Sequence, residues 1–116
     1  MKVLMISTDK NILKEGTDVT LRMAEYGTLF EELHIIVFAG RKFSREHRIS
    51  RNVYAYGTYS GFKFFYLWDG YRIAKRLIKR GQDAWAITAQ DPFETGLLGY
   101  FLALSRKIPL QLQIHT

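Results

Sequence analysis

The chain contains no cysteine and no long apolar run, and each absence removes a class of protein. Without cysteine there is neither a disulfide framework nor a thiolate metal site, which favours the reducing cytoplasm. No stretch reaches the roughly 18 to 20 apolar residues that a membrane-spanning helix needs. The apolar run at residues 3–6 is too short for a signal peptide and is followed by the polar residues Ser7, Thr8 and Asp9. These absences predict a soluble, cytoplasmic protein.

Three motifs of other α/β proteins are also missing. The segment after the first apolar run, STDKNILKEG, lacks the G-x-G-x-x-G of a dinucleotide-dependent oxidoreductase. Nowhere does G-x-x-x-x-G-K precede Ser or Thr, as a phosphate-binding NTPase requires. A receiver-type signalling domain would place an aspartate where this chain has Tyr56-Gly57-Thr58. The sequence also shows no internal repeat, low-complexity tract or linker.

What the sequence does contain is enough apolar surface for one packed domain. Of its 116 residues, 47% are hydrophobic and 15% aromatic, which favours a globular fold over disorder. The formal net charge of +6 indicates an acidic partner. Phosphate, nucleic acid and an anionic membrane surface all have that chemistry.

Apolar runs alternate with helical patterns along the chain. Runs typical of buried parallel strands lie near residues 3–6, 34–38, 53–56, 84–88 and 110–114. A first helix is predicted from a cap at Thr17 or Asp18, and its apolar residues recur at steps of three and four as far as Leu33. Two further helices are predicted from near residue 64 to before Gly81 and over residues 92–106. The pattern predicts an α/β fold with a Rossmann-like, doubly wound parallel sheet of about five strands, in the order 3-2-1-4-5. The loops after strands one and four then meet at the switch point, where such sheets bind ligands.

The junction QDPFETG follows the fourth predicted strand. Asp91 fits an N-cap, Pro92 the first helical position and Glu94 the third, which together form an aspartate version of the capping box. Gly96, in the second turn, costs about 1 kcal/mol relative to alanine, so either a ligand or close packing must favour it. The residues allow both a well-capped helix and a polar wall of a binding site.

Two groups of basic residues flank an aromatic stretch. The first group recurs at helical steps of three and four and consists of Arg72, Lys75, Arg76, Lys79 and Arg80. It forms either a solvated helix face or a contact with an anionic membrane surface. The second group, which consists of Arg41, Lys42, Arg45, Arg48 and Arg51, is predicted to lie in a mobile loop. No nucleic-acid-binding motif accompanies it. Most of the aromatic residues between the groups are predicted to pack in the core. The alternatives are that they line an acceptor site or insert at an interface. These residues are Phe62, Phe64, Phe65, Tyr66 and Trp68.

The segment DAWAITAQDPFETGLLGYFLALSRKIPLQLQIHT resembles the last part of the N-terminal domain of GT-B glycosyltransferases of the family 4 type. MKVLMIST and LHIIVFA fit earlier parts of the same domain. The resemblance implies that residues 1–116 form a partial N-terminal Rossmann-like domain, half of a GT-B fold. The C-terminal domain that holds the nucleotide sugar in that family, with its E-x7-E signature, is absent from this chain.

The resemblance also implies roles for individual residues. Gly16 corresponds to the glycine of the donor diphosphate loop, although Glu15 stands where the family often has a second glycine. His115 corresponds to a catalytic histidine near the transferred sugar, and Asp91 and Glu94 to residues that bind acceptor hydroxyls. The implied reaction needs no metal and no cofactor beyond the nucleotide-sugar donor.

The expected function is therefore transfer of a sugar from a nucleotide sugar to a glycan or lipid-linked acceptor. Residues 1–116 would supply the acceptor side of the cleft and are expected to be inactive alone. The expected location is the cytoplasm, with peripheral attachment to the inner face of the membrane as an option, and no nucleic-acid partner. Two alternatives stay open, a non-enzymatic α/β binding module and a fragment of a GT-B sugar-nucleotide epimerase.

Overall fold

The computed structural model describes residues 2–62, 65–78, 85–89 and 110–112. These residues form strands β1 (Lys2–Ser7), β2 (Glu32–Val37), β3 (Glu46–Ser50), β4 (Val53–Gly57), β5 (Trp85–Ala89) and β6 (Leu110–Leu112). The helices are α1 (Asp18–Gly27) and α2 (Tyr66–Leu77), and a short 3-10 turn spans Lys10–Leu13. The predicted third helix, at residues 92–106, lies outside the described residues.

The strands form one sheet in the order β3-β4-β2-β1-β5-β6. All neighbours pair in parallel except β3, which runs antiparallel to β4. The parallel strands β4, β2, β1, β5 and β6 are the five predicted ones, in the predicted order. This confirms an α/β fold with a mostly parallel mixed sheet, which is compatible with a Rossmann-like fold.

The two described helices cover opposite faces of this sheet. Alternate residues of β1 and β2 belong to separate clusters, so that Ile35 packs with Met23 of α1 whereas Ile36 packs with Ala74 of α2. Both strands are buried almost throughout, because each of their faces meets a packed layer. Each face therefore has its own apolar core.

The start of α1 matches its prediction and its end does not. The Thr17 hydroxyl accepts a hydrogen bond from the Thr20 amide at 3.2 Å, so Thr17 rather than Asp18 is the N-cap. The apolar spacing had extended the helical pattern to Leu33, but α1 ends at Gly27 and Leu33 belongs to β2. A Cβ atom on Gly27 would lie 2.1 Å from a Val53 methyl group, so glycine lets α1 end directly against β4.

The prediction that residues 41–51 form a mobile loop is wrong, because Glu46–Ser50 form the edge strand β3. Glu46 and Arg48 are exposed, whereas His47 and Ile49 are half-buried, which is the alternation of a strand with one covered face. Ile49 packs against the core on the α1 side. The charged residues obscured this pattern, although charge is typical of edge strands, where it discourages pairing with other chains.

The prediction that most of the aromatic stretch packs in the core is also wrong. Tyr66 is buried, but Phe62, Phe65 and Trp68 are 65%, 43% and 64% exposed. Because α2 begins at Tyr66, the helical period directs Tyr66, Gly70 and Ala74 towards the sheet and turns Trp68 outwards. Phe64 lies outside the described residues.

Candidate functional site

Gly16 lies in the loop that connects the 3-10 turn after β1 with the N-cap of α1. It is exposed and has φ +75°, a left-handed conformation that favours glycine over every other residue. A Cβ atom there would meet nothing within 4 Å, so the backbone conformation and not crowding requires glycine. The other predicted residues of this edge, Asp91, Glu94 and His115, lie outside the described residues.

The polar residues after β1 shape this loop. Ser7 is buried, and its hydroxyl accepts a hydrogen bond from the Asp9 amide at 3.1 Å. The Asp9 carboxylate accepts one from the Asn11 amide at 3.0 Å and caps the 3-10 turn. On the neighbouring strand β5, Thr88 is buried and its hydroxyl has no hydrogen-bond partner in the part of the chain that the structure describes. The hydrogen bonds that the Ser7 and Asp9 side chains accept from backbone amides therefore shape the loop after β1, which lies at the switch point between β1 and β5.

A concave site lies between the carboxyl end of β4 and helix α2, and we refer to it as the cationic cleft. Its volume is about 720 Å³. It is lined by Arg45, Glu46, Tyr56, Gly57, Thr58, Tyr59, Asp69, Arg72, Ile73, Lys75, Arg76 and Leu77. Arg72, Lys75 and Arg76 come from the first basic group of the sequence, and Arg45 comes from the second. The fold thus brings three members of the first group and one of the second into one site, while Lys79 and Arg80 lie outside the described residues.

Charge in the cationic cleft is only partly balanced. Four basic side chains face two carboxylates, those of Glu46 and Asp69. Asp69 accepts a hydrogen bond from the Ser60 hydroxyl at 2.7 Å. Within the described residues, neither Arg72 nor Arg76 forms a salt bridge. Like charges three and four residues apart on a helix destabilise it by a few tenths of a kcal/mol per pair, so this arrangement has a cost that an anion would relieve.

Arg45 is held in the cleft by Tyr59, whose own position is fixed by the residues on either side. The Arg45 guanidinium lies 4.3 Å from the centre of the Tyr59 ring. Thr58 bonds through its hydroxyl to both the amide and the carbonyl of Ala39, at 3.0 Å each. Ser60 donates its amide to the Ala39 carbonyl, also at 3.0 Å. Between these two anchors Tyr59 has φ +55°, a strained value for a side chain of its size.

A hydrogen-bonded chain of three side chains runs from the cleft along the α2 face of the sheet. The Tyr56 hydroxyl lies 2.9 Å from Nδ1 of His34, and Nε2 of His34 lies 2.7 Å from a Glu32 carboxylate oxygen. One neutral tautomer satisfies both contacts, since Nε2–H donates to Glu32 and Nδ1 accepts the Tyr56 proton. Glu32 also pairs with Lys2 at 3.8 Å. This series of hydrogen bonds ends at a second cleft of about 520 Å³, which Glu32 lines together with Asn52.

Aromatic rings enclose the histidine of this chain. His34 is 7% exposed and stacks on Tyr54, with ring centroids 5.0 Å apart, and on Tyr56 at 5.8 Å. Trp85 of β5 packs against it at 5.4 Å. Burial raises the pKa of the Tyr56 phenol from 10.0 to about 12, and the nearby charge of Glu46 adds to the effect. Tyr56 is therefore a neutral hydrogen-bond donor at physiological pH.

Sequence reasoning missed this chain of residues. Glu32 and His34 share a face of β2 by simple alternation, which the sequence could have indicated. Tyr56 joins them only because β2 and β4 pair with Ile36 opposite Tyr56 and His34 opposite Tyr54. That register is a tertiary property with no local signal.

Fold and clefts together define an α/β protein whose mostly parallel sheet carries polar loops at its carboxyl edge. No protein-family model matches the chain, and no curated protein matches it. Among the described residues, no helix combines the length and hydropathy that a bilayer crossing requires. The same residues contain no group of three or more side chains suited to hold a metal ion. The resemblance to glycosyltransferases therefore stays a prediction.

Proposed function

We propose that this chain is the N-terminal, acceptor-side part of a glycosyltransferase with a GT-B fold. The enzyme would move a sugar from a nucleotide-sugar donor to a glycan or a lipid-linked acceptor. The observation that supports the proposal is the strand order. The central strands β1 and β5 are neighbours, β2 lies on the other side of β1, and β6 lies on the other side of β5. At such a switch point the loops after the central strands separate and leave a crevice for ligands.

The loop after β1 has a backbone suited to an anionic donor. Gly16 has positive φ and open space around it, so a ligand can approach the backbone without meeting a side chain. In the proposal, this loop faces the donor diphosphate. His115 acts beside the transferred sugar, and Asp91 and Glu94 accept hydrogen bonds from acceptor hydroxyls. The nucleotide-sugar domain and its E-x7-E signature would come from a further part of the protein.

The proposed enzyme works in the cytoplasm, where nucleotide sugars are its co-substrates and no metal or other cofactor is needed. A lipid-linked acceptor would bring it to the inner face of the membrane. Exposed basic side chains on α2, those of Arg72, Lys75 and Arg76, have the charge for contact with anionic lipids. Contact of this kind would be peripheral.

The decisive experiment measures sugar transfer by the complete product of the natural reading frame. Wild type is compared with His115→Ala, and His47→Ala serves as the matched control because His47 lies on the edge strand β3. We expect the His115 variant to lose at least about 100-fold in kcat/KM, the range typical of a group that acts on the reacting atoms. The His47 variant should retain activity. Residues 1–116 alone should show no transfer.

Other outcomes would favour the alternatives. A complete protein that binds no nucleotide sugar contradicts the proposal and leaves a non-enzymatic α/β binding module. Conversion of the nucleotide sugar to an epimer without any acceptor would indicate a GT-B epimerase. Transfer activity in residues 1–116 alone would contradict the assignment of donor binding to another domain.

A further inference from the structure

We infer that the cationic cleft between β4 and α2 binds the phosphate group of a small molecule, at a site separate from the β1–β5 switch point. The inference does not depend on the proposed sugar transfer, but it competes with the membrane contact proposed for the same α2 side chains. It rests on three features of the described residues: convergent positive charge, a preorganised arginine and a concave shape.

Positive charge converges on the cleft from two distant parts of the chain. Arg72, Lys75 and Arg76 reach it from consecutive turns of α2, and Arg45 reaches it from the segment before β3. Guanidinium groups match phosphate oxygens in geometry and can donate two parallel hydrogen bonds to them. The carboxylate nearest to the helix start, that of Asp69, is already hydrogen-bonded to Ser60. The four cations outnumber the two carboxylates of the cleft, Glu46 and Asp69, and the net positive charge favours an anion.

Arg45 is positioned before any ligand arrives. Its carbonyl accepts a hydrogen bond from the Gly57 amide at 3.0 Å, which fixes the backbone. A Cβ atom on Gly57 would lie 2.2 Å from the Ser44 carbonyl oxygen, so only glycine allows this approach of the two segments. The Tyr59 ring supports the Arg45 guanidinium at 4.3 Å. Strained backbone such as that of Tyr59 persists where its surroundings determine it, often at ligand sites.

The shape of the cleft favours a small molecule over a membrane. A volume of about 720 Å³ lies within the ordinary range of ligand pockets. The cations line a concave space, which a small phosphate group can enter and a flat bilayer surface cannot. The exposed ring of Trp68 lies one turn before Arg72 and provides a way to separate the two cases, because membrane docking would use it and phosphate binding would not.

The test is a titration of the 116-residue chain with inorganic pyrophosphate, in which binding is monitored through the NMR chemical shifts of the backbone amides. We expect saturable shifts at Thr58, Tyr59 and Ser60. Arg45→Gln and Arg72→Gln should each weaken binding about tenfold or more, because each removes charge-assisted hydrogen bonds. Arg22→Gln is the matched control, since Arg22 is an exposed arginine on α1, and it should bind like wild type. Trp68→Ser should also bind pyrophosphate like wild type.

Three results would overturn the inference. The first is equal binding by wild type and both cleft variants. The second is saturable shifts at Gly16 but none at residues 58–60, which would favour the donor loop of the proposed function instead. The third is binding to phosphatidylglycerol vesicles that Trp68→Ser abolishes, with no saturable pyrophosphate shift, which would identify a membrane contact. The titration tests residues 58–60, Arg45 and Arg72, whereas the activity assay tests His115. Failure of this site and failure of the proposed enzyme activity are therefore distinguishable.

Discussion

Tyr56 connects the floor of the cationic cleft to a buried histidine, and its hydroxyl has two consequences for stability. The Tyr56 hydroxyl donates its proton to Nδ1 of the buried His34, and the oxygen and the nitrogen lie 2.9 Å apart. A polar atom buried without a partner costs about 1–3 kcal/mol. The raised pKa of the phenol, about 12, adds a dependence on pH.

The pH dependence has a definite sign. Because the folded-state pKa lies above the unfolded value of 10.0, the native protein retains the Tyr56 proton where the unfolded chain has lost it. The stabilisation is therefore complete below pH 10 and is lost as the pH rises from 10 to about 12. Tyr56 is only half-buried, so water screens part of this effect.

We expect Tyr56→Phe to be destabilised by about 1 kcal/mol at pH 8, because His34 loses its hydrogen-bond donor. The gap between wild type and variant should narrow from pH 8 to pH 11.5, since only wild type loses the Tyr56 contribution. Urea unfolding at both pH values measures the gap. Tyr26→Phe removes a hydroxyl from an exposed ring and should change stability by less than about 0.5 kcal/mol. A gap that stays constant with pH would contradict the argument.

The element that ties α1 to the sheet is the turn between β3 and β4. Asn52, in this turn, donates its side-chain amide to the carbonyls of Gly27 at 2.7 Å, Phe30 at 3.0 Å and Glu31 at 3.3 Å. The backbone carbonyl of Asn52 accepts a hydrogen bond from the Leu33 amide at 2.9 Å. One side chain therefore satisfies carbonyls at the end of α1, which a helix otherwise leaves without partners.

Asn52→Asp should destabilise the fold by about 1–3 kcal/mol, because a carboxylate cannot donate to these carbonyls and is repelled by them. The control is Asn11→Asp, the same change at an exposed residue whose contacts with Asp9 and Thr17 use the backbone. The control should stay within about 0.5 kcal/mol of wild type. Thermal or urea unfolding distinguishes the two. Equal effects of both substitutions would show that added negative charge, not the lost donor, governs stability here.

Elements differ in how far local patterns reveal them. β1 and β2 were predicted because a short apolar run is typical of a strand that is covered on both faces. β3 was not, because its half-buried residues, His47 and Ile49, stand among charged ones and its pairing depends on β4. The end of α1 at Gly27 was also missed, since the apolar spacing continues to Leu33 while the chain has already turned into β2.

The whole molecule is organised around a sheet with two cores. Ile35 and Ile36 are adjacent in β2 and both fully buried, but one belongs to the α1 core and the other to the α2 core. A strand turns successive side chains to opposite faces, so neighbours in sequence become members of separate clusters. A sheet covered on one face only would bury one of them and expose the other.

Ile35→Ala and Ile36→Ala should each cost about 2–5 kcal/mol, the range for large-to-small changes in a close-packed core. In the double variant the two losses should add to within about 0.5 kcal/mol, because the cavities form on opposite faces and share no packing partners. Leu21→Ala, at a residue that is 62% exposed, is the control and should cost little. Urea unfolding of wild type and the four variants gives the values. A small loss at either isoleucine would contradict a two-sided core.

The sequence by itself indicated the class of fold and the five parallel strands, because each segment has its own apolar period and strands alternate with helices. The strand order was predicted as the commonest one for a doubly wound sheet, and the structure confirms it. Gly16 was singled out by the family resemblance, and its role in donor binding stays a prediction. Only the tertiary structure joined Arg45 to Arg72 in one cleft and Tyr56 to His34 in one hydrogen-bonded chain. Such meetings depend on the register of β4 against β2 and on where α2 packs, and both are decided by the fit of the whole core rather than by any segment.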